Sequence, residues 1–213
     1  MNIYNKKEIF NESRNSSKEA QEAHESESLA LTRLNRGRVA IFVDGANLFY
    51  AALQLGMEID YTKLLYRLTA GSQLLRAFFY TGVDPNNEKQ QNFLHWMRHN
   101  GYRVIAKDLV QFPDGSKKAD LDVEIAVDMI TLVDYYDTAV LVSGDGDLAY
   151  AVNAISYRGV RVEVVSLRSM TSDSLINVSD HYIDLDSIRD HIQKASRSGS
   201  NGLTEVSLRS PHV

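Results

Sequence analysis

The chain has no cysteine, which excludes disulfides, a thiolate zinc site and a cysteine nucleophile, and leaves carboxylate, histidine and hydroxyl chemistry. It also lacks any run of about 18 apolar residues that could span a bilayer, and no apolar h-region marks its N-terminus. Neither a membrane span nor a secretory signal is therefore expected, and a cytoplasmic location is the default. An excess of positive charge is missing too: of 213 residues, 23 are Lys or Arg and 28 are Asp or Glu, a net charge of −5. The deficit is concentrated in residues 38–193, which hold 14 basic against 21 acidic side chains. Such an acidic domain binds nucleic acid poorly unless metal ions or a local basic patch offset the repulsion.

What is present divides into three parts. Residues 1–36 are polar, rich in Ser, Asn and Glu, and carry no sustained apolar period, so they read as a disordered arm available to partners. Residues 194–213 have the same character, which leaves 37–193 as one domain of ordinary size. Within it, "RVAIFV" (38–43), "LLRAFFY" (74–80), "YRVIAKDLV" (102–110), "TAVLVS" (138–143) and "VRVEVVS" (160–166) are short β-branched or aromatic runs. Near-continuous apolar runs of this kind suit strands buried on both faces of a parallel sheet. The intervening segments read as helices with recognisable ends: Asp60 is placed as an N-cap, and Gly71, Gly101 and Gly159 as stops. Strands alternating with helices imply right-handed βαβ crossovers and an α/β three-layer sandwich with a mostly parallel five-stranded sheet. Ligands in such folds bind beyond the carboxyl ends of the strands.

The residues just past those ends are therefore the informative ones. After the first run comes "VDGAN", with Asp44 and Asn47; after the fourth comes "SGDGD", with Ser143, Asp145 and Asp147. If the two strands are neighbours, three carboxylates and an amide converge in one cleft. Like charges that close repel unless a cation or a proton intervenes, and oxygen-only donors favour Mg²⁺ or Mn²⁺. A fourth carboxylate comes from the longest helical pattern, about 119–135. Asp120, Glu124 and Asp128 share an i, i+4 row, the usual arrangement of a solvated face. Asp122 instead heads the apolar stripe of Ile125, Ala126, Met129 and Val133, and a lone charge there is expected to face the cluster. Each residue also suits a plainer role: Asp44 as an N-cap, Asp145 and Asp147 as turn formers, Asp122 as an acid favoured at a helix start.

At these residues the chain resembles the NYN domain family, which has the PIN-like ribonuclease fold, and in particular its LabA-like (DUF88) branch. "IFVDGANLF", "KKADLDVEIAVDM" and "VLVSGDGDLAYAV" are similar to the family's three motifs in order and spacing. The resemblance covers about 38–190. It implies a sheet in 3-2-1-4-5 order and a Mg²⁺- or Mn²⁺-dependent RNase site containing Asp44, Asn47, Asp122, Asp145 and Asp147, supported by Ser143. Where many relatives show Lys-Gly-Val-Asp, this chain has Ala119-Asp120-Leu121-Asp122, which keeps Asp120 as a rival to Asp122. Because the branch includes a regulator of circadian gene expression, the resemblance also implies a second possibility, a regulatory protein that binds with weak or no nuclease activity.

Candidate RNA contacts are a basic rim of Lys117, Lys118, Arg103, Lys107 and Arg168, with Tyr80 as a base-stacking platform; solvated lysines and a core-edge tyrosine are the plainer reading. His95 and His99 stand at i, i+4, a spacing that can bind zinc, but their helix lacks the glutamate of HExxH. Finally, Gly144 to Ala149 fits the dinucleotide fingerprint G-x-G-x-x-A, with Glu163 about 20 residues on. The charges of Asp145 and Asp147 would repel a pyrophosphate there.

Overall fold

The computed structural model describes residues 36–195, apart from Asp114 and Ser116. The arm at 1–36 and the tail at 194–213 thus lie outside the described residues, save for Arg36, Lys194 and Ala195. Eight strands are described: β1 (Arg38–Asp44), β2 (Gln73–Val83), β3 (Tyr102–Asp108), β4 (Val110–Gln111), β5 (Lys117–Lys118), β6 (Thr138–Val142), β7 (Arg161–Ser166) and β8 (His181–Asp184). The helices are α1 (Gly45–Gln54), α2 (Tyr61–Thr69), α3 (Glu88–His99), α4 (Asp122–Thr131), α5 (Ala149–Ser156), α6 (Asp173–Val178) and α7 (Arg189–Ile192), with short 3₁₀ turns between them.

Six strands form one sheet in the order β3-β2-β1-β6-β7-β8, and every pairing in it is parallel. The expected order holds, with β8 added as a sixth strand at the outer edge. The two innermost strands carry the burial their sequences demand. Val39 to Val43 are fully buried along β1, and Thr138 to Val142 are buried throughout β6. Side chains alternate between two cores. One, including Ile41, Val43, Phe79 and Val142, packs under α1, α2 and α3; the other, including Phe42, Phe78 and Leu141, packs under α4, α5 and α6. Phe42 stacks on Phe78 at 5.3 Å between ring centroids and meets Tyr136 edge-on at 5.8 Å. Each of these rings contributes about 1.5–3 kcal/mol by leaving water.

Local chemistry sets the helix ends. Asp60 accepts hydrogen bonds from the Thr62 and Lys63 amides and so caps α2, satisfying donors that have no partner inside the helix. That helix stops where Ala70 turns left-handed at φ 44° and Gly71 follows at φ 76°, a conformation glycine adopts without steric cost. Two expectations change. The run at 102–110 is not one strand: β3 ends at Asp108, and β4 pairs antiparallel with β5 in a separate two-stranded ribbon. The helical pattern at 119–135 reduces to α4 followed by a 3₁₀ turn at Val133–Tyr135.

From β1 the chain builds outward to β2 and β3, then crosses over to β6 on the other side. Between β1 and β6 the strand order reverses, and their carboxyl ends lie side by side, with Val43 opposite Val142. This is the crevice in which open α/β sheets place ligands.

Candidate metal centre

Asp44 is the last residue of β1 and the cap of α1. Its Oδ1 accepts from the Ala46 and Asn47 amides, both at 3.1 Å, and its Oδ2 accepts from the Ser143 hydroxyl at 3.1 Å. The helix cap therefore occupies one carboxylate oxygen of Asp44 and the Ser143 hydroxyl the other. Ser143, fully buried at the end of β6, accepts in turn from the Asp145 amide at 3.1 Å. One hydroxyl thus ties the end of β1 to the acidic loop. Asp145 accepts from the Asp147 amide at 2.9 Å, which folds "GDL" (146–148) into a single 3₁₀ turn. Asn47 clamps the same loop: its Oδ1 accepts from the Gly144 amide at 3.0 Å and from the Ser166 hydroxyl at 3.4 Å. Ser166, at the end of β7, was absent from the expected set, although the strand-end rule that selected Ser143 applies equally to it.

Asp122 opens α4. Its amide donates to Asp120 Oδ1 at 3.0 Å, so Asp120 holds the turn before the helix. The stripe below it is buried as its spacing requires, with Ile125, Met129 and Val133 inside the core. Lys107 on β3 donates to Glu124 Oε1 at 2.8 Å and to the Asp120 carbonyl at 2.9 Å, and so fixes the start of α4 against the sheet.

These elements bring Asp122, Asp145 and Asp147 together: one carboxylate oxygen from each lies within 4.8 Å of the other two. Asp44 stands just outside the triplet and is linked to it through Ser143. Partial burial, then the charges of Asp145, Asp120, Asp44 and Asp147, push the Asp122 carboxyl up to about 6. Burial also raises Asp44, against the opposing hydrogen bonds of Asn47, Ser143 and Ala46. A cluster whose own charges oppose its ionisation is relieved by a cation, and an all-oxygen donor set fits a hard divalent one.

Other expected residues sit differently. Tyr80 is buried, 1% exposed, and donates its hydroxyl to Asp128 Oδ2 at 2.9 Å; it supports α4 from beneath and presents no face to a base. The row of Asp120, Glu124 and Asp128 is not simply a solvated face, because Lys107 and Tyr80 reach up from the sheet to its last two members. Lys107 is thereby engaged, and Arg168 pairs with Asp173 at 2.7 Å while donating to the Thr171 carbonyl. Lys117 and Lys118 form β5, and Arg103 stands exposed on β3. His99 Nδ1 lies 2.8 Å from the His95 carbonyl on exposed α3; the described residues bring no third ligand to the pair.

The glycines of the dinucleotide fingerprint serve packing. A Cβ on Gly144 would collide with the Met170 carbonyl oxygen, and one on Gly146 would lie 2.8 Å from Ser172 Oγ. Ser172 further donates its amide to the Gly144 carbonyl. The 170–172 loop thus packs directly against both glycines, and Glu163 is buried beside Arg161 at 2.9 Å.

Comparison with known proteins follows the same outline. The NYN domain model matches residues 38–186. The low amplitude and bright protein LabA of Synechococcus elongatus is 38% identical over 169 residues, which cover 75% of this chain and 90% of that protein. The crystal structure of a protein of unknown function from Vibrio parahaemolyticus is similar with a TM-score of 0.66 and 31% identity, over 76% of this chain and 98% of the other.

Proposed function

The chain belongs to the NYN domain family, and from that premise we propose that it hydrolyses RNA phosphodiester bonds at a carboxylate site loaded with Mg²⁺ or Mn²⁺. The observation that carries this reading is the Asp122, Asp145 and Asp147 triplet at the strand-end crevice, with Asp122 raised by partial burial and then by its neighbours' charge. In this reading Asp122 and Asp145 hold the cation, and Asp44 supports it from the Ser143 side, directly or through water. When bound, the ion lowers the pKa of a coordinated water and neutralises charge developing on the phosphate.

The chain's own residues do the rest. Asp147, the exposed member, orients the attacking water or accepts its proton. Ser143 and Asn47 keep the loop rigid, so that the carboxylates are already in place when substrate arrives. A bound cation would offset the charge of the aspartates and so let the acidic domain accept an anionic substrate.

A second reading has one observation in its favour. The chain is 38% identical to LabA over 169 residues, and the alternative we infer from that kinship is a regulatory protein that acts by binding with weak or no nuclease activity. The presence of all four aspartates favours cleavage. The experiment that separates them is hydrolysis of labelled single-stranded RNA with Mn²⁺ by the wild type, Asp44→Asn and Asp145→Asn. Cleavage that disappears in the variants supports the nuclease; Mn²⁺-dependent RNA binding with no cleavage by the wild type favours the regulator.

A further inference from the structure

A groove of about 700 Å³ runs beside α4 over the uncovered face of β2 and β3. Its floor includes Phe78 and Ile105, and its wall includes Val123, Val127 and Tyr135. Val123 directly follows Asp122, so the groove's wall begins one residue along α4 from the triplet, and α4 gives it a length of about 15 Å. Several of its apolar side chains face water: Val123 is 69% exposed and Tyr135 59%.

Charge distinguishes this groove from a patch of stray apolar surface. Of its two acids, Glu124 is neutralised by Lys107, whereas Asp128 accepts from the Tyr80 hydroxyl and keeps its charge. Its two arginines, Arg76 and Arg103, are exposed and have no acidic partner among the described residues. The register sets Arg103 opposite Phe78, two residues along β2 from Arg76, so both cations belong to one stretch of floor. Two exposed guanidiniums against one carboxylate that keeps its charge leave the groove net positive, and positive charge beside apolar and aromatic walls is what a single strand of nucleic acid requires: cations for the backbone and flat or aliphatic surfaces for unstacked bases.

We propose that this groove is the track of the single-stranded RNA substrate, with Arg76 and Arg103 on its phosphates and its bases laid against Val123, Val127 and Tyr135. The inference rests on the nuclease reading above. It assigns RNA contacts to β2 and α4, beyond the lysines of the β4–β5 ribbon, and makes the strand leave the metal cluster along the helix.

The test compares Arg76→Ala/Arg103→Ala with a charge-matched control, Arg67→Ala/Arg98→Ala on α2 and α3, in Mn²⁺-dependent cleavage of an oligouridine across salt concentrations. Each lost phosphate contact removes about 0.7 from the slope of log affinity against log salt. The groove variant should therefore lose about 1.4, a sevenfold smaller change in KM between 50 and 200 mM salt, with kcat retained. The control should follow the wild type. A groove variant whose KM and salt slope match the wild type, while the wild type cleaves, would overturn the track alone and leave the apolar wall to a protein partner. A wild type that binds Mn²⁺ but neither binds nor cleaves RNA would overturn the nuclease reading and the track together.

Discussion

Replacing Asp122 by asparagine keeps the shape of the side chain and removes the charge that its neighbours oppose. In the folded protein this carboxyl is raised from 3.8 to about 6, whereas in the unfolded chain it titrates near its ordinary value. Below pH 3.8 it is protonated in both states and costs nothing. Between 3.8 and 6 the unfolded chain releases the proton first, so the wild type loses stability as pH rises, and above 6 the cost is constant. Two units correspond to about 3 kcal/mol. Because the side chain is only partly buried, solvent screening reduces this to about 1 kcal/mol. Metal-free Asp122→Asn should therefore melt about 2–4 °C above the wild type at pH 7.5, and the gap should close as pH falls to 3.5. Added Mn²⁺ should reverse the order, since a ligand at a hundred times its Kd stabilises by about 2.7 kcal/mol and only the wild type binds it well. Differential scanning fluorimetry with and without EDTA gives all four values. A metal-free variant that melts below the wild type at pH 7.5, or a difference that ignores pH, would refute the account in which burial and neighbouring charge oppose the ionisation of Asp122.

Four other substitutions or conditions probe the same structure. Ser143→Ala removes the hydroxyl that joins Asp44 to the Asp145 amide; Mn²⁺ affinity should fall about 10- to 100-fold in calorimetric titration, with the fold intact by circular dichroism. Gly144→Ala drives a methyl group into the Met170 carbonyl and should cost at least about 1–3 kcal/mol in urea unfolding. Tyr80→Phe leaves the half-buried Asp128 without its donor and should destabilise by about 1–2 kcal/mol, with KM for RNA unchanged because the ring is beneath α4. Mn²⁺ binding to the wild type should weaken about tenfold per unit as pH drops below 6, where Asp122 takes up its proton; an affinity flat from pH 7 to 5 would remove Asp122 from the site.

How far the sequence reveals this protein depends on which contacts a residue's own segment determines. The inner strands were legible because Val39–Val43 and the 138–143 run are apolar without interruption, which only a strand covered on both faces requires. Asp122 was legible because helical spacing places it on the stripe of Ile125 and Met129. Asp60, Gly71 and Asp44 could be placed from capping chemistry. By contrast, β8 is four residues long and partly exposed, so its pattern resembles a loop until β7 is beside it. Tyr80 and Asp128 are separated by 48 residues, and neither segment alone announces the other; the same holds for Lys107 and Glu124. The row of Asp120, Glu124 and Asp128 shows the limit of periodicity, which identifies residues that share a face without saying what lies opposite. Arg76 went unremarked within an otherwise apolar strand, because its importance comes from the open face above β2 and β3.

The most direct measurement is an isothermal titration of Mn²⁺ into the wild type, Asp122→Asn and Asp145→Asn at pH 7.5, with RNA cleavage followed in the same samples. A carboxylate metal centre requires a saturable site in the wild type, an affinity at least tenfold weaker in each variant, and cleavage that declines in parallel. Wild-type and variant isotherms that coincide, or a wild type that takes up no Mn²⁺, would contradict the assignment of the triplet as a metal centre.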